Sequence, residues 1–103
     1  MSKWNCNIVA KMTIATKITV HGKVQGVFYR ASAQKKAQDL GIVGWIQNLV
    51  EGTVEIFAQG SEAALIEFKA WCIEGPPQAK VSDLTSHEAE TNPSLTSFQI
   101  LNG

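Results

Sequence analysis

Residues 12–40 read MTIATKITV-HGKVQGVF-YRASAQKKAQDL, and the change of period along this stretch decides the fold. From Met12 to Val20 the chain alternates. Met12, Ile14, Ile18 and Val20 share one parity while Lys17 and Thr19 take the other, which predicts a strand with one buried face. His21 to Phe28 breaks that alternation and carries Gly22 and Gly26. From Tyr29 the period becomes helical. Tyr29, Ala33, Ala37 and Leu40 form an inward stripe, Gln34, Lys35, Gln38 and Asp39 face water, and Gly41 supplies the C-terminal cap.

Working outward, Ile42 to Leu49 and Thr53 to Gln59 read as two strands joined through Glu51-Gly52, a hairpin signal with glycine where φ > 0 is needed. Gly60-Ser61 opens a second helix, with Ser61 as N-cap and Glu62 near the positive end of the dipole. Leu65, Phe68 and Cys72 give that helix its stripe, flanked by Ala64 and Trp71, and Gly75-Pro76-Pro77 stops it. Val81 to about Ser86 reads as a weaker strand. Asn92-Pro93-Ser94 is a turn, and Phe98 with Ile100 marks a short final strand. The order predicts an α+β fold of the ferredoxin-like, split β-α-β kind (βαββαβ), an antiparallel sheet with two helices on one face. That topology hosts many unrelated activities, so it does not by itself give a function.

The chain has 103 residues, enough for one domain and one modest core. Residues 1–12 are polar and aperiodic and read as a flexible tail ahead of a single domain over 13–103, with Met12 an alternative start. Nine Lys and Arg balance nine Asp and Glu. Zero net charge removes the electrostatic footprint needed to grip a nucleic-acid backbone, whereas one arginine and a few amides suffice for a single small anion. Cys6 and Cys72 are too far apart in sequence for a CxxC motif. The first 20 residues lack the apolar run of a signal peptide, and no stretch approaches the roughly 20 apolar residues that span a bilayer. The expectation is a reduced, cytoplasmic, monomeric protein without membrane or nucleic-acid partners.

Candidate chemistry lies first in Val20-His21-Gly22-Lys23-Val24-Gln25-Gly26-Val27-Phe28-Tyr29-Arg30. A glycine-containing loop between strand and helix turns successive N–H groups toward one point, and the helix start adds free amides and a positive dipole. Arg30, in the first helical turn, is placed to hold two oxygens of an anion with its planar guanidinium. Taken singly, two glycines make a turn and one arginine makes a solvated charge; a Walker-type loop would end in Gly-Lys-Ser or Gly-Lys-Thr, absent here. The second stretch is Gly44-Trp45-Ile46-Gln47-Asn48, continuing through Gly52-Thr53-Val54 to Gly60. Asn48 at a strand end is in isolation a turn-former. With the first stretch nearby, its amide is suited to orienting a water.

Together the two stretches resemble the acylphosphatase family. The first matches the signature V-x-G-x-V-Q-G-V-x-[aromatic]-R at every position, and the second matches G-W-x-x-N-x-x-x-G-x-V-x-x-x-x-x-G at the expected separation. The resemblance runs from about Lys17 to Leu101 and includes Trp71, the Gly75-Pro76 break and the closing Phe-x-Ile. It departs at Ile46, which is larger than usual there, and in a longer N-terminal segment. The resemblance implies hydrolysis of the carboxyl–phosphate bond of acyl phosphates, with Arg30 and Asn48 as catalytic residues. It places the phosphate in the amides of Lys23, Val24, Gln25, Gly26, Val27 and Phe28, and makes Thr53 a support for the Asn48 loop. No cofactor and no metal are implied, the substrate's own phosphate assists in deprotonating the water, and inorganic phosphate or sulfate would compete.

That scheme fits the residue types, because an acyl phosphate has a good leaving group and phosphoryl transfer is mostly positioning and charge stabilisation. Neither motif holds an obvious general base, and His21 reads as structural or superficial. Lys23 either adds positive potential at the mouth or is simply solvated. Three other readings compete. An RNA-recognition module would need aromatics on the central strands and a basic face, but strand 3 offers Phe57 beside Glu55 and no basic surplus. A metal-chaperone domain would need a CxxC motif. An acylphosphatase-like domain of a larger maturation enzyme is disfavoured by the length, and a stand-alone protein is expected.

Overall fold

The computed structural model describes residues 13–101, and the readings of residues 1–12, Cys6 and Met12 lie outside them. The elements are β1 (Ile14–Lys23), α1 (Tyr29–Asp39), β2 (Val43–Asn48), β3 (Val54–Gly60), α2 (Glu62–Glu74), β4 (Lys80–Ala89) and β5 (Phe98–Leu101). The strands form one sheet in the order β4-β1-β3-β2-β5. β1 pairs antiparallel with β3 and β4, and β2 pairs antiparallel with β3. β5 runs parallel to β2, so the sheet is mixed and not antiparallel throughout as expected. The reason is the route of the chain. β4 and β5 sit on opposite edges, so residues 90–97 must cross the sheet before β5 enters beside β2. Gln59 holds that crossing, donating from Nε2 to the Asn92 carbonyl (3.1 Å) and accepting from the Asn92 N–H (2.7 Å).

Alternation along the strands builds the core. Ile18 and Val20 of β1, Ile46 of β2 and Val54, Ile56 and Ala58 of β3 are buried in one cluster with Ala33 and Ala37 of α1 and Leu65, Phe68 and Cys72 of α2. Phe68 meets Phe98 of β5 edge-on, with ring centroids 6.0 Å apart, which ties the second helix to the last strand. Ser61 caps α2 as expected, its hydroxyl accepting from the Ala64 N–H at 3.1 Å. On the opposite face Trp45 stacks on Phe57 at 6.0 Å, and Lys17 lies 5.8 Å over the Trp45 ring.

Two elements are longer than the sequence predicts. β4 extends over ten residues because it is an edge strand with mostly exposed side chains, so it shows little alternation while pairing with β1 along its length. β1 continues through Gly22 and Lys23, with a register shift between His21 and Gly22. Gly22 has φ 122°, and a Cβ there would stand 2.1 Å from the Lys80 carbonyl oxygen. Gly22 therefore serves close approach of β4 to a bulged β1, and the loop proper begins at Val24.

Candidate active site

Parity along β2 places Asn48. Gly44, Ile46 and Asn48 share a face. Since Ile46 is fully buried against the helices, Asn48 emerges on the same side at the strand's end, where α1 begins. The large Ile46 is thus accommodated in the core, two residues behind the site. Tyr29 anchors the start of α1. Its hydroxyl donates to the Cys72 carbonyl at 2.6 Å, and its ring centroid lies 5.4 Å from that of Trp71. Burial pushes the Tyr29 phenol well above its ordinary range and raises the Cys72 thiol to about 12, so both stay neutral structural groups.

The start of α1 is unusual. Phe28 occupies the N-cap position at φ 63°, the only non-glycine residue with positive φ among those described, and no side chain caps the first turn. Its ring is 74% exposed, so burial does not compensate for that backbone conformation. The first turn contains no acidic residue. The leading amides of α1 are thus left for an external anion. Gly26, at φ 74° with open space where a Cβ would be, turns the loop just before it.

A cavity of about 300 Å³ opens at this helix start. Val24, Gly26 and Phe28 line it from the loop, Tyr29, Arg30 and Ala31 from α1, Asn48 from β2 and Ile100 from β5. Arg30 Nη1 lies 3.5 Å from the Leu101 carbonyl oxygen, at the outer limit of a hydrogen bond, and Gln34 Nε2 donates to the Phe98 carbonyl at 2.9 Å one turn later. Asn48 Oδ1 is buried and accepts no hydrogen bond from the described residues. An orphaned carbonyl oxygen of this kind carries a desolvation cost of about 1–3 kcal/mol until a donor reaches it.

The structure therefore brings Arg30, Asn48, Val24, Gly26 and Phe28 together around one space. Lys23 ends β1 as an exposed residue paired with Lys80, and Val27 is buried in the core; neither lines the cavity. Thr53 does not line it either. Its hydroxyl donates to a Glu51 carboxylate oxygen at 3.1 Å, and its carbonyl accepts from the Leu49 N–H at 2.9 Å across the hairpin turn. Gln25 does not line the cavity, and its Nε2 donates to the carbonyls of Leu49 (2.8 Å) and Thr53 (2.9 Å). Sequence reasoning missed this tie and missed the contribution of β5, for which the closing Phe-x-Ile was the one available signal. Among the described residues no three His, Cys, Asp or Glu side chains converge as a metal-ligand group, and no helix is long and apolar enough to cross a membrane.

Fold and site thus define a small α+β protein with an arginine, an uncapped helix start and an unpartnered amide oxygen around one pocket. The sequence profile of the acylphosphatase family matches residues 16–100. An acylphosphatase from Methylococcus capsulatus is 44% identical over 84 residues, covering 82% of this chain and 91% of that protein. Among solved structures, an acylphosphatase from Coxiella burnetii superposes with TM-score 0.84 at 40% identity, covering 88% of this chain and 95% of that one. The Bacillus subtilis acylphosphatase gives 0.82 at 36%, covering 87% and 99%. The chain belongs to the acylphosphatase family of enzymes.

Proposed function

We propose that this chain hydrolyses the carboxyl–phosphate bond of acyl phosphates, releasing a carboxylate and inorganic phosphate. The observation that carries the reading is the convergence of Asn48, Arg30 and the uncapped start of α1 on one cavity, with Asn48 Oδ1 lacking a donor among the described residues. The phosphoryl oxygens sit against the amides between Val24 and the first turn of α1, and Arg30 clamps two of them. Lys23 contributes positive potential at the edge without touching the anion. A water donates one hydrogen to Asn48 Oδ1, which turns an oxygen lone pair toward phosphorus.

The water oxygen then bonds to phosphorus as the bond to the acyl oxygen breaks, and the electron pair of that bond leaves with the carboxylate. The water's second proton passes to a phosphoryl oxygen of the substrate, so no side-chain base is needed. Arg30 and the amides stabilise charge on the equatorial oxygens, the term that dominates such transfers. Because the carboxylate leaves without protonation, the reaction is proposed to be metal-independent. Inorganic phosphate and sulfate are expected to compete for the same amides.

The wider proposal is a monomer of one domain from residue 13 onward, acting in a reducing cytoplasm, with its sheet read as the split β-α-β order β4-β1-β3-β2 and β5 added beside β2. Hydrolysis of benzoyl phosphate in the presence of EDTA tests the activity and its metal independence together. Turnover unchanged by EDTA and inhibited by phosphate is expected. No turnover, or turnover abolished by EDTA and restored by a divalent metal, contradicts the reading.

A further inference from the structure

We propose that Gln25 is a positioning residue that sets the distance between the phosphate-binding loop and the water-orienting Asn48. Both hydrogens of its side-chain amide are used, one on the carbonyl of Leu49 at 2.8 Å and one on that of Thr53 at 2.9 Å. These carbonyls belong to the turn that follows Asn48. Each already has a donor inside the hairpin: the Gly52 N–H bonds Leu49 at 3.0 Å, and the Leu49 N–H bonds Thr53 at 2.9 Å. The hairpin therefore closes without Gln25. What Gln25 adds to the core packing of Val24, Val27 and Val54 is a directional, hydrogen-bonded link across 24 and 28 residues of sequence, from the loop to the turn after Asn48.

The consequence is specific. Phosphate contacts come from one side of the link, amides 24–28 and Arg30, while the water contact comes from the other. Breaking the link leaves each half intact and loosens their mutual geometry. In-line attack depends on that geometry far more than anion binding does, and an error near 1 Å can cost about 100-fold in rate. The side chain of Gln25 acts through Asn48 and touches neither substrate nor water, whereas its backbone amide, one of the five facing the phosphate, is unaltered by a side-chain substitution. The inference rests on the proposed hydrolysis.

Gln25→Met keeps the length and removes both donors. We expect kcat for benzoyl phosphate to fall about 10- to 100-fold while KM and the inhibition constant for inorganic phosphate move by less than about 3-fold. In an Asn48→Ala background the same change is expected to have almost no further effect on residual turnover, since the group it positions is gone. Should Gln25→Met fail to fold, Gln25→Asn, which keeps an amide but is one methylene too short to span both carbonyls, is read by the same three constants. Unchanged kcat, a parallel loss of phosphate affinity, or an equal loss with and without Asn48 would each overturn the proposal. Wild-type turnover separates the two levels: its absence defeats the hydrolysis reading, whereas its presence with full kcat in Gln25→Met defeats only the link.

Discussion

The Tyr29 hydroxyl donates to the carbonyl of Cys72 at 2.6 Å, joining the first turn of α1 to the last turn of α2. Cys72 offers one of the carbonyls that a helix cannot satisfy within its own last turn. Tyr29 satisfies it from the residue beside Arg30, so a buried contact between the two helices fixes the turn that carries the arginine. The ring also fills the space over Gly75, where a Cβ would come within 3.0 Å of it.

Tyr29→Phe keeps the ring and leaves the Cys72 carbonyl without its donor. The expected loss of stability is about 1–3 kcal/mol, the cost of stranding a buried acceptor. Urea unfolding followed by fluorescence measures it. A midpoint indistinguishable from wild type would mean that water replaces the hydroxyl.

The same pair sets an alkaline limit. Burial raises the Cys72 thiol from 9.0 to about 12 and moves the Tyr29 phenol upward as well. A group whose folded pKa is raised stabilises the native state fully below its unfolded pKa, and that contribution disappears as pH climbs toward the folded value. Stability should therefore decline from about pH 9 upward, by as much as about 1.4 kcal/mol per pH unit for each group. Unfolding midpoints at about pH 8 and about pH 11 test this, and Cys72→Ala should flatten the slope. On a Cys6→Ser background, a thiol reagent should leave Cys72 unmodified until the chain unfolds.

Two glycines in the motifs are required for different reasons. Gly44 has φ 146°, and a Cβ there would stand 1.8 Å from the Phe57 carbonyl oxygen, whereas Gly26 has φ 74° and open space around it. Gly44→Ala must push β2 from β3 and should cost about 3–5 kcal/mol. Gly26→Ala meets only the left-handed backbone penalty, about 1–2 kcal/mol. Denaturation of both variants checks the order, and equal losses would contradict it.

The parts of the fold written in side-chain period were legible in the sequence. The alternation of Ile18 and Val20, the stripe of Tyr29, Ala33 and Ala37, and Ser61 at the head of α2 each report local burial or capping. β4 was read too short because an edge strand buries little and so alternates little. The parallel entry of β5 depends on a chain crossing held by Gln59 and Asn92, a contact between residues 33 apart that no local pattern announces. For the site, the motifs marked Arg30 and Asn48, and parity along β2 explains why they face one cavity. The side chain of Gln25 was invisible, since one glutamine in a loop carries no period and its partners are backbone atoms.

The measurement that bears most directly on the site is the kinetics of Asn48→Ala beside Arg30→Gln, with benzoyl phosphate as substrate and inorganic phosphate as inhibitor. If Arg30 binds the phosphoryl group and Asn48 only aims the water, Arg30→Gln should raise KM and weaken phosphate inhibition as well as lower kcat. Asn48→Ala should lower kcat by at least about 100-fold with phosphate inhibition nearly unchanged. Near-normal turnover in folded Asn48→Ala would contradict the account.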